Sequence, residues 1–142
     1  MNKMNTLYEK GLEYEKSKDY INAYDCYKKA ADLGHIKAST NAAYLTLFGR
    51  GTLQNTEDAI ALLTYASNNG HSRATINLAC IYELGKFVKM DLYEALRLYE
   101  IVANRHDADM QYALDKIKEV NEKIRTYACV FPPGFKFGVV SN

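Results

Sequence analysis

The sequence contains no tryptophan and only two prolines, Pro132 and Pro133, which are adjacent and near its end. Everything before them is free of the one side chain that removes a helical hydrogen bond, so long helices are permitted. Charge of neither sign dominates. Lys and Arg number 18 against 17 Asp and Glu, a formal net charge of +1. So weak a field excludes nucleic acid or an anionic membrane as the expected partner. Cysteine is scarce: Cys26, Cys80 and Cys129 are far apart. That spacing argues against a disulfide framework or a zinc knuckle and suits a reducing compartment. No apolar run approaches the roughly 20 residues that span a bilayer. The opening MNKMNTLYEKGLEYEKSKDY carries charges throughout instead of the apolar core of a secretory leader. The expectation is a cytoplasmic protein, with delivery into a host cell left open.

What the chain does have is tyrosine, 12 residues in 142, and an internal period. Ala23, Ala59 and Ala95 are spaced by 36 residues, as are Tyr27, Leu63 and Tyr99. Ala30, Ala66 and Val102 follow, and then Gly34, Gly70 and His106. Upstream, Asn41 and Asn77, Ala43 and Ala79, and Gly49 and Gly85 hold the same register. In the first unit the match to Ala43 is Gly11, 12 residues before its alanine instead of 16, so the first turn is four residues shorter. Fixed periods of this size are the signature of stacked repeats.

Each unit reads as two helices. In the third, Ala74, Leu78, Ile81 and Tyr82 share one face and Gly85 closes the helix; Leu92, Ala95, Leu96, Tyr99, Val102 and Ala103 share the face of the second. Asp91 with Glu94 makes a capping start, and Thr56 with Glu57 and Asp58 is expected to do the same in the second unit. Gly34 and Gly70 stand where a helix ends in a left-handed residue. Small residues at the repeated positions let helices approach closely, and a tyrosine or leucine four residues on fills the gap. One helix pair cannot bury its own apolar face, so the pattern must recur.

These residues resemble the tetratricopeptide class, and more narrowly the Sel-one-like repeat with its longer inner turn. The third unit carries A-x-x-N-L-A-x-x-Y-x-x-G from Ala74 to Gly85, then Asp91, Ala95, Tyr99 and Ala103. The second carries A-x-x-N-A-A from Ala38 to Ala43, then Gly49-Arg50-Gly51, Ala59, Ala66 and Gly70. The first, with Gly11, Tyr14, Ala23, Tyr27 and Ala30, is similar to a plain tetratricopeptide unit. Phe87 replaces a second turn glycine, and Leu63 replaces an aromatic.

The expected fold is all-α: a right-handed solenoid of three helix-turn-helix units, about 4–34, 36–70 and 72–106, with a capping helix over 107–126. The cap's apolar face is Met110, Ala113, Leu114, Ile117, Val120 and Ile124. Residues 127–142 contain Phe131, Pro132, Pro133, Gly134, Phe135 and Phe137. They are expected to form an extended tail packed on the domain, or to occupy the groove of their own or a neighbouring chain.

In tetratricopeptide-like arrays the leading helices line a concave groove, and the resemblance implies protein–protein interaction there. Mapped by register, the partner-binding candidates are Tyr8 and Leu12; Lys37, Asn41, Tyr44 and Phe48; and Arg73, Asn77, Cys80, Glu83 and Leu84. Such a mixture suits a peptide or helix of another protein, bound with micromolar affinity, about 8 kcal/mol. Lys37 with Asn41 and Arg73 with Asn77 resemble the clamp by which some tetratricopeptide domains hold a terminal carboxylate, although Asn5 and Glu9 break the pattern in the first unit. The same amides also suit a structural role, bonding backbone at the inter-repeat turns. His35, His71 and His106 form a ladder in which each ring is expected to face the carbonyls of the helix before it. Repeat spacing holds them roughly 15–20 Å apart, too far for shared metal ligands.

No cofactor is expected, and no catalysis: none of the cysteines is placed beside a base, and no phosphate loop or nucleophile elbow is present. Two alternatives remain open. One is an assembly subunit that forms a homo-oligomer through the tail. The other, implied by the resemblance, is a bacterial effector-type signalling adaptor acting on a host protein.

Overall fold

The computed structural model describes residues 2–130. They form seven helices, with no strand among the described residues: α1 (Lys3–Lys16), α2 (Tyr20–Asp32), α3 (Ile36–Phe48), α4 (Thr56–Asn68), α5 (Ser72–Leu84), α6 (Leu92–Arg105) and α7 (Met110–Val130). Each helix packs chiefly on its neighbours in sequence, so the right-handed solenoid expected from the period is the fold observed. α7 starts at Met110 and continues through Tyr127 to Val130, four residues past the expected cap. The rest of the tail lies outside the described residues.

The turn lengths match the register. α1 and α2 are joined by three residues, Ser17–Asp19, whereas Gly49–Asn55 and Gly85–Asp91 each take seven. Both long turns close in the same way. Asn55 N–H donates to Thr46 O at 3.0 Å and Asp91 N–H to Tyr82 O at 2.9 Å, positions 36 apart. Asp91 caps α6 through Glu94 N–H, as expected. At α4 the cap is Asn55, not Thr56: its Oδ1 accepts from Asp58 N–H at 3.0 Å. Thr56 is the first helical residue, because the side-chain oxygen must precede the N–H groups it satisfies.

Ala23, Ala59 and Ala95 are fully buried, and Tyr27, Leu63 and Tyr99 are buried behind them. The two tyrosines carry a hydroxyl into the core, and each finds a carboxylate. Tyr27 Oη donates to Glu15 at 2.5 Å and Tyr99 Oη to Glu83 at 2.9 Å. Glu15 and Glu83 stand four residues after Gly11 and Ala79, so they are register mates. The second unit has Leu47 at that place and Leu63 opposite it. Hydroxyl and carboxylate are lost together, which leaves no polar group unpaired.

His106 occupies the place of Gly34 and Gly70 in the left-handed region, at φ 54°. A side chain there crowds the following carbonyl. His106→Gly is therefore expected to stabilise the fold by about 0.5–1 kcal/mol, the relief of strain outweighing the freer unfolded chain. Thermal unfolding would register this as a rise of about 2 °C, and an unchanged or lower midpoint would show that the ring's contact with Met110 outweighs the strain.

Candidate groove on the leading helices

The leading helices α1, α3 and α5 share a face that carries two adjoining cavities. The first, about 180 Å³, is almost wholly apolar and lies between the C-terminal halves of α3 and α5. Its walls include Ala43, Tyr44, Leu47, Phe48, Leu63, Cys80, Leu84 and Phe87. The missing tyrosine produces it. In units one and three a ring from the second helix reaches across to the leading helix. Here the register mates Ala43, Leu47 and Leu63 leave that space open. Aromatic rings fence it: Phe48 lies 4.8 Å from Tyr44 and edge-on to Phe87 at 5.5 Å. Arg50 sits over both Tyr20 and Tyr44, at 5.6 and 5.8 Å from the ring centres.

The second cavity, about 290 Å³, is polar and lined by Tyr8, Lys37, Thr40, Asn41, His71, Arg73, and also Tyr44 and Asn77, which wall the first cavity too. Lys37 and Arg73 lie in the opening turns of α3 and α5, which hold no acidic residue; α4 and α6 do. Two cations and two positive helix ends thus meet at one place. Arg73 Nε also bonds Asp109 at 3.3 Å while its side chain stays mostly exposed. Asn41 lies beside the Tyr8 and Tyr27 hydroxyls and interacts with both.

The histidines do not face the preceding carbonyls. His35 and His71 are the N-caps of α3 and α5. His35 Nδ1 accepts from Ala38 N–H at 3.1 Å, and its ring stacks on Tyr8 at 4.3 Å. His71 Nδ1 pairs with Thr40 Oγ1 at 2.9 Å, linking two units. Burial, and then the nearby Lys37, hold both rings below the usual imidazole range; Arg73 adds to this at His71. A lowered value favours the neutral ring, which the accepting Nδ1 of His35 requires.

Nine of the eleven register-derived candidates line these cavities: Tyr8, Lys37, Asn41, Tyr44, Phe48, Arg73, Asn77, Cys80 and Leu84. Leu12 instead packs against the apolar cluster that joins the first unit to α3. Glu83 is 5% exposed and enclosed by Tyr99, Lys116 and Lys123. As a register mate of Glu15 it is committed to its own tyrosine, so it is not offered to a ligand. His71 and Phe87 were not among the candidates. His71 precedes its helix, and Phe87 was legible only as a departure from the repeat.

The Sel1 repeat profile matches residues 6–35, 36–71 and 72–107, consecutive segments that coincide with the three helix pairs. The chain belongs to the Sel1 repeat family. Sel1 repeat proteins are generally protein-interaction scaffolds, and the family is generally non-catalytic. Among solved structures, this Sel1 repeat chain is similar to a Sel1 repeat protein from Oxalobacter formigenes. The TM-score is 0.68 at 32% identity, covering 76% of this chain and 46% of that one. It also matches a protective antigen of uropathogenic Escherichia coli with an SLR fold, at TM-score 0.75 and 21% identity over 86% of this chain and 26% of the other. That second likeness concerns the fold alone. Two curated proteins share the sequence pattern. Chitin synthase regulatory factor 2 of Schizosaccharomyces pombe is 35% identical over 106 residues, 74% of this chain. Human protein sel-1 homolog 2 is 32% identical over 90 residues, 63% of this chain. The Sel1 repeat chain spans only 21% and 13% of their lengths. No helix among the described residues is long and apolar enough to cross a membrane.

Proposed function

We propose that this Sel1 repeat chain is a binding module that holds a peptide or helix of a partner protein along the leading-helix groove, without catalysing a reaction. The observation that carries this reading is the pair of adjoining cavities with opposite chemistry, sharing Tyr44 and Asn77 as walls. An apolar side chain suits the first. An anion suits the second, where Lys37 and Arg73 supply charge and Asn41 and Asn77 supply amide donors. A carboxylate a few ångströms from an apolar side chain is what a peptide offers at its C-terminus or at an acidic residue. The fission-yeast relative is named as a regulatory factor of another protein, in keeping with a module that acts by contact.

Affinity capture with the native chain tests the reading against two variants. Tyr44 and Phe48 are each close to two-fifths exposed, so Tyr44→Ala with Phe48→Ala is expected to leave the fold intact. Proteins held by the native chain should be lost from this variant and retained by Tyr65→Ala, which alters an exposed tyrosine on α4. Loss of two aromatic anchors lowers affinity by roughly 2–4 kcal/mol. Retention of every partner by the groove variant would refute the proposal.

A further inference from the structure

We infer that the apolar cavity in the middle of the groove is the receptor for the ring of Phe135 or Phe137 in this chain's own segment 131–142. Units one and three fill the corresponding place with a buried tyrosine ring, Tyr27 and Tyr99. Unit two presents Leu63 there, and the void of about 180 Å³ is of a size that accepts one aromatic ring. The occupant's chemistry is specified as well. A tyrosine would bury its hydroxyl opposite Leu47, where units one and three keep a glutamate, and an unmatched hydroxyl is costly. A phenyl ring carries no such penalty, and the rings of Phe48 and Phe87 favour edge or offset contact with it.

The chain has five phenylalanines. Two of them, Phe48 and Phe87, already wall the cavity. The other three, Phe131, Phe135 and Phe137, all lie in the segment that follows α7. Position allows the contact. Lys116 and Lys123 on α7 both reach the carboxylate of Glu83, which neighbours the cavity residue Leu84. Val130, the last residue of α7, lies seven residues beyond Lys123, about 10 Å further along the helix. From there Phe135 and Phe137 are five and seven residues away in sequence, a length of chain that spans at most about 16–23 Å. The inference stands on the cavity and the segment. Only its consequence, that the segment competes with a partner for the groove, rests on the function proposed above.

The test uses the full chain and needs no partner. Cys80 lines the cavity, so its thiol reports whether the space is filled. With the open form at about 10% or less, Phe135→Ala with Phe137→Ala should speed maleimide labelling of Cys80 by roughly tenfold or more, read residue by residue by mass spectrometry. Labelling of buried Cys26 should not change. In the native chain, the methyl resonances of Leu47, Ile81 and Leu84 should show NOEs to a phenylalanine ring that vanish in the variant. Leu63→Phe, which fills the cavity from within, should abolish the same NOEs while the fold persists. A mixed sample of labelled and unlabelled chains separates two origins: NOEs within one chain support the inference, and NOEs only between chains replace it with an exchanged dimer. Unchanged labelling together with unshifted methyls overturns it.

Discussion

Gly51→Ala is expected to lower the unfolding free energy by about 3–4 kcal/mol, a large share of the roughly 5–15 kcal/mol that holds a domain folded. Two costs combine. Gly51 has a φ of +73°, where a side chain adds roughly 1–2 kcal/mol of strain. A Cβ there would also lie 2.0 Å from the carbonyl oxygen of Tyr20 and 2.7 Å from Ile21 N. Those atoms are backbone at the start of α2 and cannot turn aside, so crowding of the overpacking kind adds roughly 1–3 kcal/mol. Gly70→Ala is the control. Its φ of +86° is equally left-handed, yet nothing lies within 4 Å of a Cβ. Urea denaturation should show Gly70→Ala losing only the strain and Gly51→Ala losing about twice as much or more. Equal losses would show that the turn yields and the Tyr20 contact is not tight.

Glu83→Ala is expected to cost about 2–4 kcal/mol at pH 7, below the top of the range for a broken buried pair because Lys116 keeps a second partner. Glu83 lies on α5, Tyr99 on α6, and Lys116 and Lys123 on α7, so one buried carboxylate ties the capping helix to the array. Removing it leaves Tyr99, a fully buried phenol, with only the thiol of Cys80 at 3.3 Å. Lys116 retains Glu119 at 2.9 Å. The sign of the pH dependence follows from the same groups. Burial alone would raise the Glu83 carboxyl, but hydrogen bonds from Lys123, Lys116 and Tyr99 outweigh it and hold the group below its usual range. A depressed carboxyl contributes its stability above the unfolded value of about 4.5, and that contribution is lost as pH falls through the lower folded value. The gap between the native chain and Glu83→Gln should therefore close in acid, below about pH 4. A gap of the same size at pH 3 and pH 7 would show that the charge of Glu83 is not what binds α7.

Helix identity, turn length and register were legible in the chain because each is set by neighbours in sequence. Alanines every 36 residues report close helix contacts, and the missing four residues before Asp19 report a short turn. Capping details were less legible. Asn55 and Thr56 are both competent caps, and only the path of the turn decides which one precedes the free N–H groups. The histidines differ from expectation for a related reason: a ring at a helix junction can serve the helix behind or the helix ahead, and backbone direction chooses.

The groove was legible as a face but not as a pair of cavities. Register places Lys37, Asn41, Arg73 and Asn77 on one wall without reference to coordinates, since period alone fixes which side of a helix a residue occupies. It also placed Glu83 there, on the face of α5 that looks toward the next leading helix. Only three-dimensional packing shows that face covered by α7, with the carboxylate enclosed by Tyr99 and two lysines. Leu63 stood out in the sequence as a departure from an aromatic. That the departure opens a ring-sized void depends on Leu47 and Ala43 lying opposite it, and on Phe87 returning from a turn to close the rim. Spacing along the chain sets the repeat, its count and the side each helix presents. Which of those residues are covered, and where space remains, depends on the assembled helices, because volume is a property of what meets across helices and not of any one of them.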